Sequence, residues 1–325
     1  MKPTILVTGG AGYIGNVVCR ALLQEGMAIK VIDKLTFGGE AIIDLLQHPR
    51  FEFIKGDITN LIDVNKALTN VNAVVHLAAI VGDPACAKQH EIARETNLRG
   101  TKLLYSLANK TAVNKFVFAS TCSNYGKMKD PLSFVDEDSE LSPVSLYAEL
   151  KVESELYLLG QPRENCCKPT CLRFATAYGL SARPRFDLTI NEFTKELTLG
   201  RELLVFGEQF WRPYCHVVDI ARAIVAVLNA DSSNTDFNVF NVGDTQENYQ
   251  KLGIIEEIRK VIPNCKVKYV YKNEDPRDYK VSFKKIHEQL RFKITQTVPK
   301  GIREIHHAVQ QRIISDPDSN RYKNS

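Results

Sequence analysis

Tyr147 and Lys151 stand four residues apart in Tyr147-Ala148-Glu149-Leu150-Lys151, just after Ser142-Pro143. On a helix that spacing sets a phenol and an ammonium on one face. A cation beside a phenol lowers its pKa toward the working range, so the pair can take a proton from a hydroxyl. Alone, the spacing is an ordinary surface Tyr/Lys pair. A second chemistry lies near the start of the chain, where Thr8-Gly9-Gly10-Ala11-Gly12-Tyr13-Ile14-Gly15 succeeds the apolar run Ile5-Leu6-Val7. It contains both the G-x-G-x-x-G and the G-x-x-G-x-x-G spacings. Glycines there permit a tight turn, let backbone N–H groups approach a pyrophosphate and let a helix pack close to a sheet. The helix start then offers its unpaired donors to phosphate. Asp33 closes the next apolar run, eighteen residues after Gly15. A carboxylate there accepts bonds from an adenosine ribose and repels a 2′-phosphate, which favours NAD over NADP. The competing reading is a glycine-rich turn in another kind of α/β protein.

These groups need a scaffold, and the first half of the chain supplies one. Short β-branched runs at 4–8, 28–33, 51–55, 73–77, 115–119 and 169–174 alternate with helical periodicity near 14–25, 40–47, 61–69, 88–109 and 145–159. That alternation predicts an α/β fold with a doubly wound parallel (Rossmann) sheet, and runs such as Val74-Val75 and Phe116-Val117-Phe118 fit a sheet covered on both faces. After about Gly179 the alternation loosens. Helices are expected at 187–199, 217–229, 249–261 and 299–312, and strands at 203–206, 237–241 and 266–271. The reading is a cofactor domain over 1–180, with a return segment near 217–242, and a smaller C-terminal substrate-binding lobe over 181–315. Residues 316–325 are expected to form a flexible tail.

With 325 residues the chain can bury a large core and is long for one compact domain. Its hydrophobic fraction of 44% and charged fraction of 25% are ordinary for a globular protein. A net charge of +4 is small for this length; it argues against nucleic acid as a partner and suits an anionic small substrate. The eight cysteines form no C-x-x-C pair and no zinc-type spacing with histidine, so no metal is expected. The apolar stretch after Lys2 is too short for a secretory leader, and no run reaches the ~18 residues that span a bilayer. Reduced thiols in a cytoplasmic protein are the expectation.

Phe118-Ala119-Ser120-Thr121-Cys122-Ser123-Asn124-Tyr125-Gly126 ends the fifth strand, where open α/β sheets bind ligands. With this segment in place, the chain resembles the extended short-chain dehydrogenase/reductases, specifically the NAD-dependent nucleotide-sugar epimerases and dehydratases, from Thr8–Gly15 to about Ile305. The resemblance implies a Thr121-Tyr147-Lys151 catalytic set: Tyr147 takes the proton of a sugar C4 hydroxyl, Lys151 holds the nicotinamide ribose and tunes Tyr147, and Thr121 orients the hydroxyl. It implies cofactor contacts at Gly9, Gly12, Tyr13, Ile14, Gly15, Asp33, Asp57 and Ile58, at Leu77, Ala78, Ala79 and Asn97, and at Ala175. Substrate contacts are implied at Val81, Thr121, Ser123, Thr176 and Arg185. Arg212, in Trp211-Arg212-Pro213-Tyr214-Cys215-His216-Val217-Val218-Asp219, and Arg277, in Asp275-Pro276-Arg277-Asp278, match arginines that meet a nucleotide diphosphate, which a guanidinium fork can grip through two oxygens. Arg183 is a further candidate. His216 and Asp219 are read as fixing the loop and helix start, and His76 as structural. A homodimer through the Tyr147 helix and the 88–109 helix is also implied.

The fate of a sugar oxidised at C4 depends on the residues beside Thr121. The 4,6-dehydratases place Asp-Glu there; this chain has Cys122-Ser123, which removes the expected acid/base pair. Epimerisation needs only the catalytic set and held NAD. Net 4-dehydrogenation is the alternative, and Val81-Gly82-Asp83-Pro84, Phe174–Gly179 and Arg185-Phe186-Asp187-Leu188 resemble GDP-heptose 4-dehydrogenases. Cys122 could also serve as an acid/base at a carbon beside the ketone, or simply fill space. A non-catalytic NAD-binding protein is the reading from a different class.

Overall fold

In the computed structural model, which describes residues 3–128, 130, 133–272, 275 and 277–324, seven parallel strands carry the fold. They are β1 (Thr4–Thr8), β2 (Ala28–Asp33), β3 (Phe51–Lys55), β4 (Ala73–His76), β5 (Lys115–Thr121) and β6 (Lys168–Phe174), with a seventh from the second half of the chain. Alternate side chains of these strands enter opposite layers. Val7, Val31, Val75 and Val117 pack on one face; Leu6, Ile32, Val74 and Phe116 pack on the other. Burial on both faces is what the near-continuous apolar runs require. The strand order is 3-2-1-4-5-6 and then the seventh, so the order reverses between β1 and β4 and opens a crevice at their carboxyl ends.

Helices α1 (Gly15–Gln24) and α2 (Leu61–Leu68) fall where periodicity predicts them. The single helix expected over 88–109 does not form. Its place is taken by α3 (Asp83–Lys88), α4 (His90–Arg94), a π-helical turn over Glu95–Gly100 and α5 (Thr101–Ala108). The break lies at Gln89, whose φ of −132° and ψ of 55° leave the helical region. Helix α6 (Leu146–Leu159) carries Tyr147 and Lys151; the Ser145 hydroxyl caps it by accepting from Ala148 N at 3.3 Å.

Beyond β6 come β7 (Thr176–Tyr178), α7 (Thr189–Thr198), β8 (Leu203–Phe206), β9 (Trp211–His216), α8 (Val217–Asn229) and α9 (Ser232–Thr235). Next in the chain are β10 (Asn238–Val242), β11 (Asn248–Gln250), α10 (Lys251–Arg259), β12 (Val267–Val270), α11 (Lys284–Leu290) and α12 (Val298–Gln310). The seventh sheet strand is β10, paired with β6 from Asn238↔Thr170 to Val242↔Phe174. Strands β7, β9 and β11 form a small mixed sheet, and β8 pairs with β12. Helices α7, α10 and α12 share a separate core built from Ile190, Leu197, Ile254, Ile258, Ile302 and Ile305. Among the described residues no helix is long and apolar enough to cross a membrane.

The C-terminal segment, expected to be flexible, makes defined contacts. Residues 316–324 lie along α7 and its preceding loop, with the Asp318 carboxylate bound by Lys195 at 2.9 Å and by Arg201 at 2.5 Å. Phe186 N donates to Tyr322 O at 2.9 Å. These contacts are ion pairs and main-chain bonds, which leave no apolar periodicity in the sequence.

Candidate active site

The crevice begins at the glycine-rich loop. Gly9 has a φ of +74°, and a Cβ there would stand 2.9 Å from Ala78 N, so both the turn and the approach of the β4 loop require glycine. A Cβ on Gly15 would collide with Gly9 O, so α1 starts directly against the loop. No side chain caps the start of α1, which leaves main-chain donors and the positive end of the helix for an anion. Asp33, at the end of β2, accepts from Ala11 N at 3.0 Å and from Leu35 N at 2.8 Å. Each carboxylate oxygen keeps a second lone pair for a ribose hydroxyl. Burial pushes the Asp33 carboxyl above its usual range, opposed by those two amides and by Arg183. Behind the loop, His76 bonds Thr8 Oγ1 at 2.7 Å and Thr101 Oγ1 at 2.9 Å, and burial drops its pKa to about 3. It is a neutral brace between strands, as expected.

A cavity of about 400 Å³ runs from this loop to α6. Gly9, Gly12, Tyr13, Ile14, Gly15 and Asp33 line one end with Asp57 and Ile58; Leu77, Ala78, Ala79 and Val81 line its middle. Tyr147, Lys151 and Arg185 line the other end. The uncapped helix start, the Asp33 carboxylate beside it and a lining that reaches from the glycine loop to α6 fit a dinucleotide.

Lys151 Nζ donates to Ala119 O at 2.6 Å, 4.6 Å from the Phe118 ring centroid and 5.9 Å from that of Tyr147. Burial draws the Lys151 pKa down to about 8. The same burial raises the Tyr147 phenol above its ordinary value, with Cys86 and Asp83 adding to the rise and Arg185 opposing it. The lowering expected from the neighbouring cation is therefore outweighed by desolvation in the cofactor-free chain. Thr121 Oγ1 accepts from Ser123 N at 3.1 Å at the end of β5, leaving its proton to donate.

Several expected contacts fall outside the cavity. Asn97 sits in the π-helical turn and clasps Ile80: its Oδ1 accepts from Ile80 N at 2.8 Å and its Nδ2 donates to Ile80 O at 2.9 Å. It shapes the β4 loop rather than lining the cavity. Ala175 is buried against β10, and Thr176 pairs with Tyr214 of β9. Cys122 is 1% exposed, its Sγ donates to Arg173 O at 3.2 Å, and burial pushes the thiol well above its ordinary pKa. It packs with the core layer of Tyr125 and Met128 and is not among the residues that line the cavity, which favours the space-filling reading of the thiol over the acid/base one. Arg212 and Arg277 do come together, around Asp275. Arg212 pairs with Asp275 at 2.8 Å, Arg277 Nε lies 3.8 Å from the same carboxylate, and Arg277 Nη1 reaches Asp83 at 2.6 Å. Pro276 of that motif lies outside the described residues. His216 accepts from Val218 N at 3.2 Å, and Asp219 accepts from Thr295 N and Gln296 N, so both fix the start of α8 and its neighbour loop.

Sequence reasoning missed Phe37, Gln89 and Asn324, which line the cavity; Arg183, weighed as a further cation for the diphosphate, lines it too. Gly38-Gly39 marks a loop beside Phe37; nothing local marks Asn324.

A dinucleotide crevice at the reversal point of a parallel sheet, with a tyrosine and a lysine one helical turn apart inside it, defines an extended short-chain dehydrogenase/reductase. A model of the NAD dependent epimerase/dehydratase family matches residues 5–243. The UDP-glucose 4-epimerase of Lactobacillus helveticus is 30% identical over 275 residues, 79% of this chain and 81% of that protein. The dTDP-glucose 4,6-dehydratase of Streptomyces niveus is 31% identical over 266 residues, 79% of this chain and 76% of that one. The crystal structure of UDP-glucuronic acid 4-epimerase from Bacillus cereus, in complex with UDP-glucuronic acid and NAD, superposes with a TM-score of 0.85 at 27% identity, covering 95% of this chain and 99% of that one. The chain belongs to the NAD dependent epimerase/dehydratase family; it is an enzyme and NAD is its cofactor.

Proposed function

We propose that this enzyme oxidises C4 of a nucleotide-diphosphate sugar and reduces the resulting 4-keto sugar on its other face, as a 4-epimerase. The observation that carries the reading is Tyr147 and Lys151 together in the cofactor cavity, at the end of the strand that carries Thr121, with the Cys122 thiol turned into the core. Bound in the cavity, NAD supplies the hydride acceptor and donor. Tyr147 takes the C4 hydroxyl proton and later returns it. Lys151, held at Ala119 O, keeps a positive charge beside the phenol in the cavity that Tyr147 shares. Thr121 donates to the reacting oxygen. Arg212 and Arg277, already gathered on Asp275, exchange carboxylate for diphosphate oxygens.

Dehydration would need an acid for the leaving hydroxide and a base for a carbon-bound proton. Cys122 and Ser123 occupy the positions after Thr121, and neither is a carboxylate. The same reading includes a homodimer through the outer face of α5 and α6. The test is incubation of the NAD-loaded enzyme with UDP-, GDP-, dTDP- and CDP-sugars, reading product mass and stereochemistry. An inverted C4 at unchanged mass is expected. Loss of two hydrogens would instead identify a net 4-dehydrogenase, and loss of water a dehydratase; either overturns the epimerase.

A further inference from the structure

We propose that residues 316–324, together with the Arg183 they hold, form the outer wall of the dinucleotide cavity and slow release of the bound cofactor. Asn324 lines the cavity alongside Asp33, Phe37 and Arg183. The segment is tied down at both ends. At the near end, Asp187 accepts from Asn324 N at 3.1 Å while holding Arg185 through bonds of 3.0 and 2.6 Å. At the far end, Asp318 bridges Lys195 and Arg201. Between them the Tyr322 ring meets Phe186 edge-on at 5.9 Å.

Arg183 links this segment to the cofactor domain. Its Nη2 donates to Lys323 O at 3.2 Å, and its guanidinium lies 3.9 Å from the Phe37 ring centroid, on the loop just after Asp33. Arg183 is 6% exposed, yet its Nε has no hydrogen-bond partner among the described residues, and neither has the buried Oδ1 of Asn324. Leaving a buried donor and a buried acceptor unpaired is costly. A nucleotide offers both complements, phosphate oxygens to the guanidinium and ribose or base N–H and O–H groups to the amide oxygen. Arg183 and Arg185 repel one another, a repulsion that Asp187, engaged by Arg185, and Asp33 offset. The position beside Asp33 and Phe37 assigns the wall to the adenosine half. For the cofactor to leave, this wall has to move, which requires breaking the Arg183 and Asp187 contacts.

The inference rests on the cavity being the dinucleotide site, and the experiment separates the two. NADH release is tracked by stopped-flow fluorescence, chasing with excess NAD, for the full chain, for deletion of 316–325, and for Arg183→Gln and Asn324→Ala. Deletion and Arg183→Gln are each expected to speed release tenfold or more, and Asn324→Ala threefold or more. The deletion combined with Arg183→Gln should be no faster than the deletion alone, because the two act through one wall. A merely structural role would lower the thermal midpoint of the cofactor-free protein without that pattern. Should the deletion not fold, the two point variants carry the test. Release within twofold of the full chain in folded variants overturns the wall. A full chain that binds no NADH overturns the cavity assignment itself.

Discussion

Burial acts on Tyr147 and Lys151 in opposite senses, keeping the phenol protonated and drawing the ammonium down to about 8. At neutral pH the cofactor-free pair is therefore a phenol and an ammonium. Cys122, one residue past Thr121, differs because its thiol is spent on Arg173 O in the core. Two variants separate these residues. Tyr147→Phe is expected to lower turnover about 10²–10⁴-fold, the usual worth of a positioned base, while NADH still binds. Cys122→Ala is expected to keep turnover and to lose about 1 kcal/mol of stability for the missing buried atom. Turnover with mass detection and urea unfolding read the two effects; a folded Cys122→Ala protein without turnover would return the thiol to the chemistry.

At the scale of elements, α12 shows how one part of the fold completes another. Thr297 makes no side-chain cap, and Glu247, from the loop before β11, instead accepts from Val298 N at 2.7 Å. Burial pushes the Glu247 carboxyl from 4.5 up to about 7, against that amide. The folded chain thus holds a proton that the unfolded chain has released, and the stability this group contributes is full below about pH 4.5 and gone above about pH 7. Glu247→Gln keeps an acceptor and removes the charge. It should stabilise the protein by about 1–3 kcal/mol at pH 8 and leave it unchanged at pH 4, measured by urea unfolding at both. Equal effects at the two pH values would show that the proton is not involved. Elements differ in how far they could be read from sequence, and for physical reasons. β1, β4 and β5 were legible because both faces are buried and their apolar runs are nearly continuous, and the edge strand β3 because its apolar residues alternate with exposed Glu52 and Lys55. β9 was read only as a motif, since Arg212 and Pro213 interrupt its pattern, and β7 and β11 are three residues each. The breaks around α4 depend on Gln89 and on the contact of Asn97 with Ile80, seventeen residues upstream. Gly9–Gly15, Asp33, Tyr147 and Lys151 were legible because spacing alone sets their geometry. Asn324 lies 137 residues from the Asp187 that places it, so no local pattern could mark it.

At the scale of the whole molecule, α6 must serve two surfaces at once. Tyr147 and Lys151 face the cavity, whereas Leu156 on the same helix is 64% exposed. Around it Leu103, Leu107 and Tyr157 are half-buried on α5 and α6, and Arg94 and Glu153 pair nearby at 3.6 Å. A two-fold dimer on this face would set α5 and α6 of one protomer against the same pair of its partner. A stable interface buries about 1,200–2,000 Å², and on this face those four apolar side chains would lie within it. An isologous contact also counts every substitution twice, once from each protomer. Leu156→Arg would therefore bring two guanidinium groups into the same apolar centre, which is far costlier than one charge on a free surface. Size-exclusion chromatography with light scattering is expected to give a dimer for the parent chain and a monomer for Leu156→Arg, with NADH binding retained because the cavity lies on the inner side of α6. A dimer that survives the substitution would move the interface to another face, and a monomeric parent chain would remove it altogether.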